Sequence, residues 1–518
     1  MPETPRRGSA IDAGLLAVLL TAVVARLWHL DAPLIDAHSW RQVTNADIAR
    51  HFTSSLDLFH PQVSWGGRDG VVGMEFPLLQ WTTGLLWRVT GESHIVARLV
   101  AVLFSVGGVG CLYGLGARLL GRAGGLAAAG LMAVAPSSVY FGRSFLSDMP
   151  MLTLMIAAVW AWDVYFAGAN ARRLAAAVTL TALAALVKLP AILVLAPIVG
   201  TAWRHRGLAA FADRGAWLGG LASVALVVAW YWHADRLYLE TGLTQAVFRP
   251  SGTYPPAIAP GVQFTSVSHW VTLSRLLSWE TWHELGDRFW ELHLTAVGAA
   301  GAALGFWRVP RAARAPIDLW LLAGVALLVV SLEGQYWHEF HQLPLLPPLF
   351  LYFGAAAAPL FDGAWQARAF PGRAGGVLVA AVAWLCALQA ARSSGVEANL
   401  YRPDNLQGKF VSVGAAVRAA TESDALIVTV EYEDGGANSP MLLYFACRQG
   451  WSFDVRSVTA AVVPHLAGRG ARYFATTDWW ELEAQKPEVA TALRACCKEI
   501  ELTDAPASAR LFDLSRKP

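Results

Sequence analysis

Long apolar segments separated by short polar connections occupy the chain up to about residue 392. A helix that crosses a bilayer needs about 20 mostly apolar residues, and eleven segments approach that length. The pattern therefore predicts a polytopic α-helical membrane protein with about eleven transmembrane helices. Their predicted positions are 11–30, 94–117, 123–141, 149–167, 174–187, 189–203, 216–233, 292–307, 317–332, 342–361 and 375–392.

The fifth and sixth segments are short and meet at Lys188, Leu189 and Pro190. They form either a tight hairpin or one helix kinked at the proline. The distribution of arginines favours the hairpin, because positive charge collects in short cytoplasmic loops. If the two segments formed one helix, the arginine-rich stretches "RHRGLAAFADRG" and "RVPRAARAP" would lie outside the cytoplasm. Arg6 and Arg7 precede a long apolar run without a small-residue cleavage site, which we interpret as a retained first helix rather than a signal peptide.

With this topology, residues 31–93 and 234–291 form two long extracytoplasmic loops of a transmembrane domain at 1–394. The stretch "NADIARHF" in the first loop predicts an amphipathic juxtamembrane helix lying on the bilayer. From about 395 strand and helix patterns alternate, which predicts a small extracytoplasmic α/β domain, 395–518, with a largely parallel sheet. Strands are predicted in "SDALIVTVE", "WSFDV" and "ARYFATTD" and near 498–502 and 509–513, and helices in "SPMLLYFACRQG", "TAAVVPHLAGRG" and "PEVATALRACC".

Composition agrees with a membrane protein. The chain of 518 residues is 55% hydrophobic and only 15% charged, whereas an average soluble domain carries about 25% charged residues. Its 23 tryptophans suit a protein with two membrane–water interfaces. The net charge of +2 gives no field that would attract nucleic acid. The five cysteines predict no disulfide framework and have no spacing typical of a metal site.

Charged and polar side chains collect at the predicted outside ends of the apolar segments. Such groups are costly near hydrocarbon and persist where they face a cavity, a partner or a substrate. Their common position at one membrane boundary predicts an active site there. The residues are Asp36, Glu75, Arg143, Asp148, Lys188, Glu333, His338, Glu339 and His341.

Each of these residues also has a purely structural interpretation. Asp148 fits the N-cap of a helix, and the long side chain of Lys188 can reach the membrane interface. His338 and His341 can be loop residues or partners of Glu333, and their H-x-x-H spacing would bind a metal only with a third ligand. The tryptophan pairs fit interface anchors better than platforms for a sugar ring.

Several motifs resemble those of one family, in the same order. The motif D-x-HSWRQ, which begins at Asp36, resembles the acidic first-loop motif of GT-C glycosyltransferases, most of all the bacterial branch of glycosyltransferase family 39. That branch includes protein O-mannosyltransferases and is similar to the lipid A aminoarabinose transferases. The stretches "MEFPLLQW", "FGRSFLSDMPML", "LVKLP" and "HEFHQLPLLPP" resemble further blocks, so that the resemblance covers about 1–360. Many members have two adjacent acids in the first loop, whereas here Ala37 follows Asp36.

The resemblance implies a multi-pass enzyme of the bacterial inner membrane. Such an enzyme transfers a sugar from a polyprenyl-phosphate carrier to an acceptor glycan, lipid or protein outside the cytoplasm, and direct in-line attack would invert the anomeric centre. The chemistry fits polar residues at a membrane boundary, because the phosphate leaving group needs a cation and the acceptor hydroxyl or amine needs a general base. No cofactor is required, although a divalent cation is compatible with the reaction.

Roles for the residues follow from the resemblance and the chemistry together. We assign Asp36 as the general base, with Asp148 and Glu75 orienting the acceptor or sharing its proton. Lys188 would bind the carrier phosphate. The further assigned residues are Arg143 and His338 at the phosphate, and His38, Arg41, His341 and Glu333 as helpers.

Two other classes of protein remain compatible with the pattern. A transporter or lipid flippase would also have many spans, but no inverted repeat relates the two halves, and its polar residues are expected at mid-span or at both faces. A non-catalytic scaffold whose outer domain binds a partner would leave the acids and Lys188 unexplained. Transfer of a labelled sugar by the purified protein separates an enzyme from both.

Overall fold

The computed structural model describes residues 13–245, 249, 254–262, 270–361, 400–401, 405–432 and 439–515. The eleventh predicted span, 375–392, lies outside these residues. The chain divides into two compact units. A helical unit comprises 1–30, 101–226 and 268–399, and a mixed unit comprises 31–100, 227–267 and 400–518.

Up to residue 361 the described chain is mostly helical. Its α-helices are α1 Ala13–Arg26, α2 Ser39–Ser54, α3 Leu78–Thr90, α4 His94–Val134, α5 Pro136–Arg143, α6 Asp148–Ala167, α7 Ala171–Val187, α8 Leu195–Arg206, α9 Arg214–Thr241, α10 Leu273–Leu277, α11 Trp279–Asp287, α12 Thr295–Arg308, α13 Arg311–Val330, α14 Leu332–Trp337 and α15 Leu346–Phe361. Three 3₁₀ segments at Leu189–Val194, Gly207–Ala212 and Glu339–Leu345, and a π-helical turn at Arg288–His293, extend them.

The first ten predicted spans all fall on helical segments. Within the described residues, five helices are long and apolar enough to cross a membrane, namely α4, α6, α9, α13 and the stretch Glu339–Phe361. Others, such as α1 with 14 residues, are shorter than the roughly 20 residues that a bilayer requires. The predicted number of eleven spans is therefore not confirmed, although a multi-pass helical architecture is.

Helix α4 contains two of the predicted segments and is broken between them at Gly121. Its φ of 83° and ψ of 167° lie outside the helical region, and glycine reaches them because it lacks a Cβ. The two halves fold back on each other, since a Cβ added to Gly125 would lie 2.9 Å from the carbonyl oxygen of Tyr113. Twelve residues of straight helix would separate those positions by about 18 Å.

A second interruption of the helix lies between the end of α4 and the start of α5 at Pro136. The fully buried side chain of Arg26, at the end of α1, stabilises it. Proline has no N–H for the carbonyl oxygen of Met132, the acceptor one turn earlier. Arg26 donates to that oxygen at 3.2 Å and to the carbonyl oxygens of Ala133 and Ser138 at 2.9 and 3.0 Å. The guanidinium thus replaces helix hydrogen bonds that the chain cannot make itself.

Helices α7 and α8 form a tight hairpin, and the alternative of one kinked helix is wrong. Lys188 at the junction has an extended backbone, and its ammonium pairs with Asp148 at the start of α6. At the far end of α6, Asp163 pairs with Arg204 near the end of α8. Fifteen residues of α6 separate the two acids by about 22 Å, so α8 runs parallel to α6 and α7 runs back between their ends.

In the mixed unit, residues from 426 onward form an α/β domain around a sheet in the order β2–β1–β3–β5–β4. Strands β1, β2 and β3 pair in parallel, and β5 pairs antiparallel with β3 and β4. The strands are β1 Leu426–Glu431, β2 Gln449–Asp454, β3 Ala471–Thr476, β4 Lys498–Ile500 and β5 Arg510–Asp513. The helices are α16 Asn405–Ala420, α17 Met441–Ala446, α18 Val462–Gly468, α19 Trp479–Gln485 and α20 Pro487–Cys496.

All five predicted strands and all three predicted helices of this domain are confirmed. Helices α16 and α19 were not predicted, and neither was the disulfide between the neighbouring residues Cys496 and Cys497. All six residues of β1, "LIVTVE", are buried, as expected for an interior strand of a parallel sheet that is covered on both faces.

The prediction that "NADIARHF" lies on the bilayer is wrong. Ten of the 16 residues of α2 are buried, and they cover most of its circumference. Helix α3 is the more amphipathic segment of the first loop: Leu79 and Trp87 are buried, whereas Leu86 and Val89 are exposed. The close packing of α2 against α3, where a Cβ on Gly84 would meet the Phe52 side chain at 2.5 Å, explains why α2 is shielded.

We predict that the α/β domain is extracytoplasmic, because the eleven spans predicted from the sequence and the arginine pattern would put it there. A cysteine at exposed Ala507 should react with a membrane-impermeant thiol reagent once the outer membrane is permeabilised. A cysteine at exposed Arg308, in a predicted inside connection, is the matched control and should react only after lysis. Reversal of these two patterns would refute the topology.

Buried Glu431 predicts a pH-dependent stability. Burial raises the pKa of Glu431 from 4.5 to about 8. Between these values the unfolded chain is ionised at this position while the folded chain keeps its proton, so stability falls as pH rises, by about 1.4 kcal/mol per pH unit. The Glu431→Gln variant should lose this part of the slope in unfolding experiments from pH 5 to 8. Glu488→Gln, at an exposed glutamate of the same domain, should keep it.

Candidate active site

Asp36 lies in a buried polar cluster of the mixed unit. Its Oδ1 accepts a hydrogen bond of 2.6 Å from Nε2 of Gln42, and its Oδ2 lies 3.2 Å from a guanidinium nitrogen of Arg98. Asp36 is 2% exposed, and Gln42 and Arg98 are fully buried. Arg98 also donates to the carbonyl oxygens of Ala32 and Pro33. The carboxylate is therefore held in one orientation by two side chains from α2 and α4.

Asp36 lies two residues before the N-cap of α2 and does not occupy the capping position. The N-cap residue of α2 is His38, which has a left-handed backbone with φ of 58° and makes no side-chain cap bond. Asp36 instead binds side chains in the body of α2 and in α4. A buried carboxyl group that two side chains hold in place is a candidate proton acceptor, because it is oriented and shielded from bulk water.

Glu75 and Arg41 belong to the same unit as Asp36. Arg41 donates to Oε1 of Gln245 at 2.6 Å, and the backbone N–H of Gln245 donates to the carbonyl oxygen of Gly73 at 2.8 Å. Gly73 is two residues before Glu75, which is partly buried at the entrance to α3. Gln245 thus connects the start of α2, just after Asp36, to the segment that carries Glu75.

In the helical unit, Asp148 and Lys188 form an ion pair. The Lys188 ammonium lies 2.7 Å from Oδ1 of Asp148, and the two side chains are 15% and 3% exposed. Asp148 is the first residue of α6 and makes no cap bond, so the interpretation as an N-cap is also rejected. Instead Asp148 serves as the counter-charge of a lysine that would otherwise be costly to bury.

Aromatic and imidazole rings surround this lysine. Its ammonium lies 4.9 Å from the ring centre of Phe340, an arrangement that attracts a cation. His338 stacks on the same phenylalanine ring at 5.1 Å, and His341 meets His338 edge-on at 5.2 Å. The structure therefore brings Lys188 and His338, two of the three residues predicted to bind the phosphate, together with Asp148 and His341, which were assigned as a catalytic residue and a helper.

The remaining predicted residues of the helical unit have other environments. Arg143 is fully buried and donates to the carbonyl oxygen of His29 at 3.0 Å. Glu333 binds Arg275 at 3.0 Å and also accepts from the indole N–H of Trp337, which fits a structural role. In the described residues no three His, Cys, Asp or Glu side chains form a group that could hold a metal ion.

A second polar cluster contradicts the expectation that buried charges crowd one end of the spans. Asp163, fully buried near the end of α6, accepts from Arg118 at 2.5 Å, Arg204 at 2.7 Å and His205 at 2.8 Å. These residues come from the connections that the arginine pattern assigned to the inside. The two ends of α6 thus differ in charge. One lysine pairs with one acid at the N-terminal end, and several cations surround one acid near the C-terminal end.

Sequence reasoning missed Arg98, Gln42 and Phe340. Arg98 stands in an apolar segment where it resembles an interface arginine, and only its contact with Asp36 gives it a role in the site. A general signal was available, because a charged residue inside a span needs a partner, but the sequence does not identify Asp36 as that partner.

Comparison with known proteins gives one match to a family and several to solved structures. Residues 75–232 match the family model described as dolichyl-phosphate-mannose-protein mannosyltransferase. This range includes Glu75, Arg98, Arg143, Asp148 and Lys188. No curated protein matches the chain.

The fold is similar to those of two solved proteins. ArnT from Cupriavidus metallidurans, solved bound to undecaprenyl phosphate, is 14% identical with a TM-score of 0.62, over 97% of this chain and 98% of that one. The archaeal oligosaccharyltransferase AglB from Archaeoglobus fulgidus, in complex with an inhibitory peptide and a dolichol-phosphate, is 11% identical with a TM-score of 0.52, over 96% of this chain and 75% of that one. At these identities the likeness establishes the fold.

Proposed function

We propose that this chain is a glycosyltransferase of the GT-C superfamily that transfers a sugar from a polyprenyl-phosphate donor to an acceptor outside the cytoplasm, and the family match and the fold support this proposal. The paired Lys188 and Asp148 at the start of α6 carry the proposal. A buried ammonium beside an aromatic ring suits a lipid-linked phosphate, which must be bound at a membrane boundary and neutralised there. The undecaprenyl phosphate bound by ArnT is a ligand of this class.

The reaction divides into a leaving group and a nucleophile. The acceptor oxygen or nitrogen attacks the anomeric carbon, the bond from that carbon to the phosphate oxygen breaks, and polyprenyl phosphate leaves with the electron pair. Lys188 stabilises the negative charge on the phosphate, and Asp36 accepts the acceptor's proton. Attack opposite the leaving group inverts the anomeric centre. We propose no obligatory metal, because the ammonium supplies the charge that a single phosphate needs.

Arg98 and Gln42 give Asp36 its proposed role as a base. Each binds a different carboxylate oxygen, so the carboxylate cannot rotate freely. Orienting a catalytic group in this way removes part of the entropic barrier to reaction. The acceptor, the sugar and the length of the lipid carrier are best identified by assaying the purified protein with a panel of polyprenyl-phosphate sugars.

We predict that Asp36→Asn slows sugar transfer by about 10²–10⁴-fold, the usual cost of losing a general base. Asparagine keeps the shape but cannot take the proton, and it leaves Arg98 without its counter-charge. Asp163→Asn is the matched control, because it removes another buried, arginine-paired acid. Both variants should lose stability, roughly 3–5 kcal/mol for a broken buried pair, while only Asp36→Asn should lose turnover per folded molecule. Equal turnover in the two variants would reject the base.

We predict that Lys188→Ala raises the KM for the donor by about 10- to 100-fold, because a charge-assisted contact contributes roughly 1.5–3 kcal/mol. The KM for the acceptor should change little. Lys409→Ala is the matched control, since Lys409 pairs with Asp478 at 2.5 Å in the α/β domain with similar exposure. A larger effect of Lys188→Ala on the acceptor than on the donor would show that Lys188 does not bind the phosphate.

A further inference from the structure

Two polar contacts tie α2 to the segment around the start of α4. Near the start of α2, Oε1 of Gln42 accepts from Arg98 at 3.3 Å. Two turns later, Arg50 binds Glu92 through two hydrogen bonds of 2.8 and 2.7 Å. From Gln42 to Arg50 the contacts move toward the C-terminus of α2, whereas their partners, Arg98 and Glu92, move toward the N-terminus of the second segment. The two segments therefore run antiparallel and are joined at two levels, one of which holds Asp36.

Tyr444 of the α/β domain completes the contact at the second level. The Arg50 guanidinium lies 3.9 Å from the ring centre of Tyr444 and donates to its carbonyl oxygen at 2.8 Å. The Tyr444 hydroxyl donates to Oε1 of Glu92 at 2.9 Å and lies 3.1 Å from Nε2 of His94. Burial raises the pKa of Tyr444 well above its ordinary value, so the hydroxyl keeps the proton that it donates.

A separate connection links the middle of α2 to the sheet. Fully buried Asp47 accepts from the backbone nitrogen and the hydroxyl of Ser64, at 2.7 and 2.5 Å. The carbonyl oxygen of Ser64 in turn accepts from the backbone nitrogen of Gly450 in β2 at 2.8 Å. The α/β domain thus holds α2 through a side chain at its end and through the backbone near its middle.

We propose that Tyr444 is a positioning residue for the Asp36 site. By holding Arg50 against Glu92, it fixes the register of α2 relative to α4, and so the orientation in which Gln42 presents its amide to Asp36. The inference rests on the proposed role of Asp36 as general base. The α/β domain would then help to position Asp36, in addition to being a candidate surface for acceptor recognition.

The expected decrease in kcat follows from the contacts that the Tyr444→Phe variant loses and keeps. Tyr444→Phe removes the hydroxyl but keeps the ring beside Arg50 and the backbone acceptor. We therefore expect the variant to fold. Displacing a catalytic group by about 1 Å can reduce a rate by about 100-fold, and a single lost bond to a charged group permits only part of that movement. We expect Tyr444→Phe to lower kcat by roughly three- to thirtyfold, with the donor KM unchanged.

The experiment compares Tyr444→Phe with Tyr473→Phe in the full-length protein. Tyr473 donates to Glu422 at 2.7 Å, so its variant removes the same kind of tyrosine–glutamate bond from the same domain, away from α2. Both are also combined with Gln42→Ala. If Tyr444 acts through Gln42, its effect on kcat should largely disappear in the double variant. Additive effects, or equal effects of the two tyrosine variants, would overturn the inference.

Amide hydrogen exchange tests the same inference without an activity assay. Tyr444→Phe should speed exchange of the α2 amides, including those around Gln42, while Tyr473→Phe should leave them unchanged. If the wild-type protein transfers no sugar but this difference is present, the proposed function fails and the mechanical link stands. If α2 exchange is the same in both variants, the link itself is wrong, whatever the protein catalyses.

Discussion

The ion pair between Asp148 and Lys188 determines the arrangement of the helical unit. Each charge alone would cost several kcal/mol to bury, so each is retained only with the other. Because one partner begins α6 and the other separates α7 from the next helical segment, their attraction closes the hairpin. The cations around Asp163 fix the opposite end of α6 in the same way. The length of α6 thereby separates the Lys188–Asp148 pair, which we propose binds phosphate, from the cluster around Asp163.

The sequence was sufficient for features that depend on local pattern. Apolar segment positions, the break at Gly121 and the strands of the α/β domain all follow from hydrophobic runs and from glycine between them. The grouping of Lys188 with Asp148 and His338 was also predictable, because the positions of the apolar segments alone put these three residues at the same predicted membrane boundary. The number of spans was harder to predict, since several helices here are shorter than a bilayer and depend on neighbours for their burial.

Features that depend on long-range pairing were missed. Arg98 and Arg26 both stand at the edges of apolar runs, and nothing nearby in the chain indicates that one binds a carboxylate and the other a set of carbonyl oxygens. Helix α2 was misassigned for a related reason. Its alternation of polar and apolar residues looks amphipathic, but its polar side chains bind other protein groups and do not face water. The sequence pattern shows which residues are polar, but it does not show whether water or another protein group is the hydrogen-bond partner.

The hydrogen bonds of Arg26 also constrain how the protein is made. Three of the carbonyl oxygens that accept from this guanidinium belong to residues 132, 133 and 138, more than a hundred positions later in the chain. Another belongs to Ala22, one turn earlier in α1 itself. When α1 first enters the membrane, the three later acceptors have not been synthesised, and an arginine in a membrane helix is costly without partners. The hydrogen bonds of Arg26 are therefore completed only after α5 has been inserted beside α1.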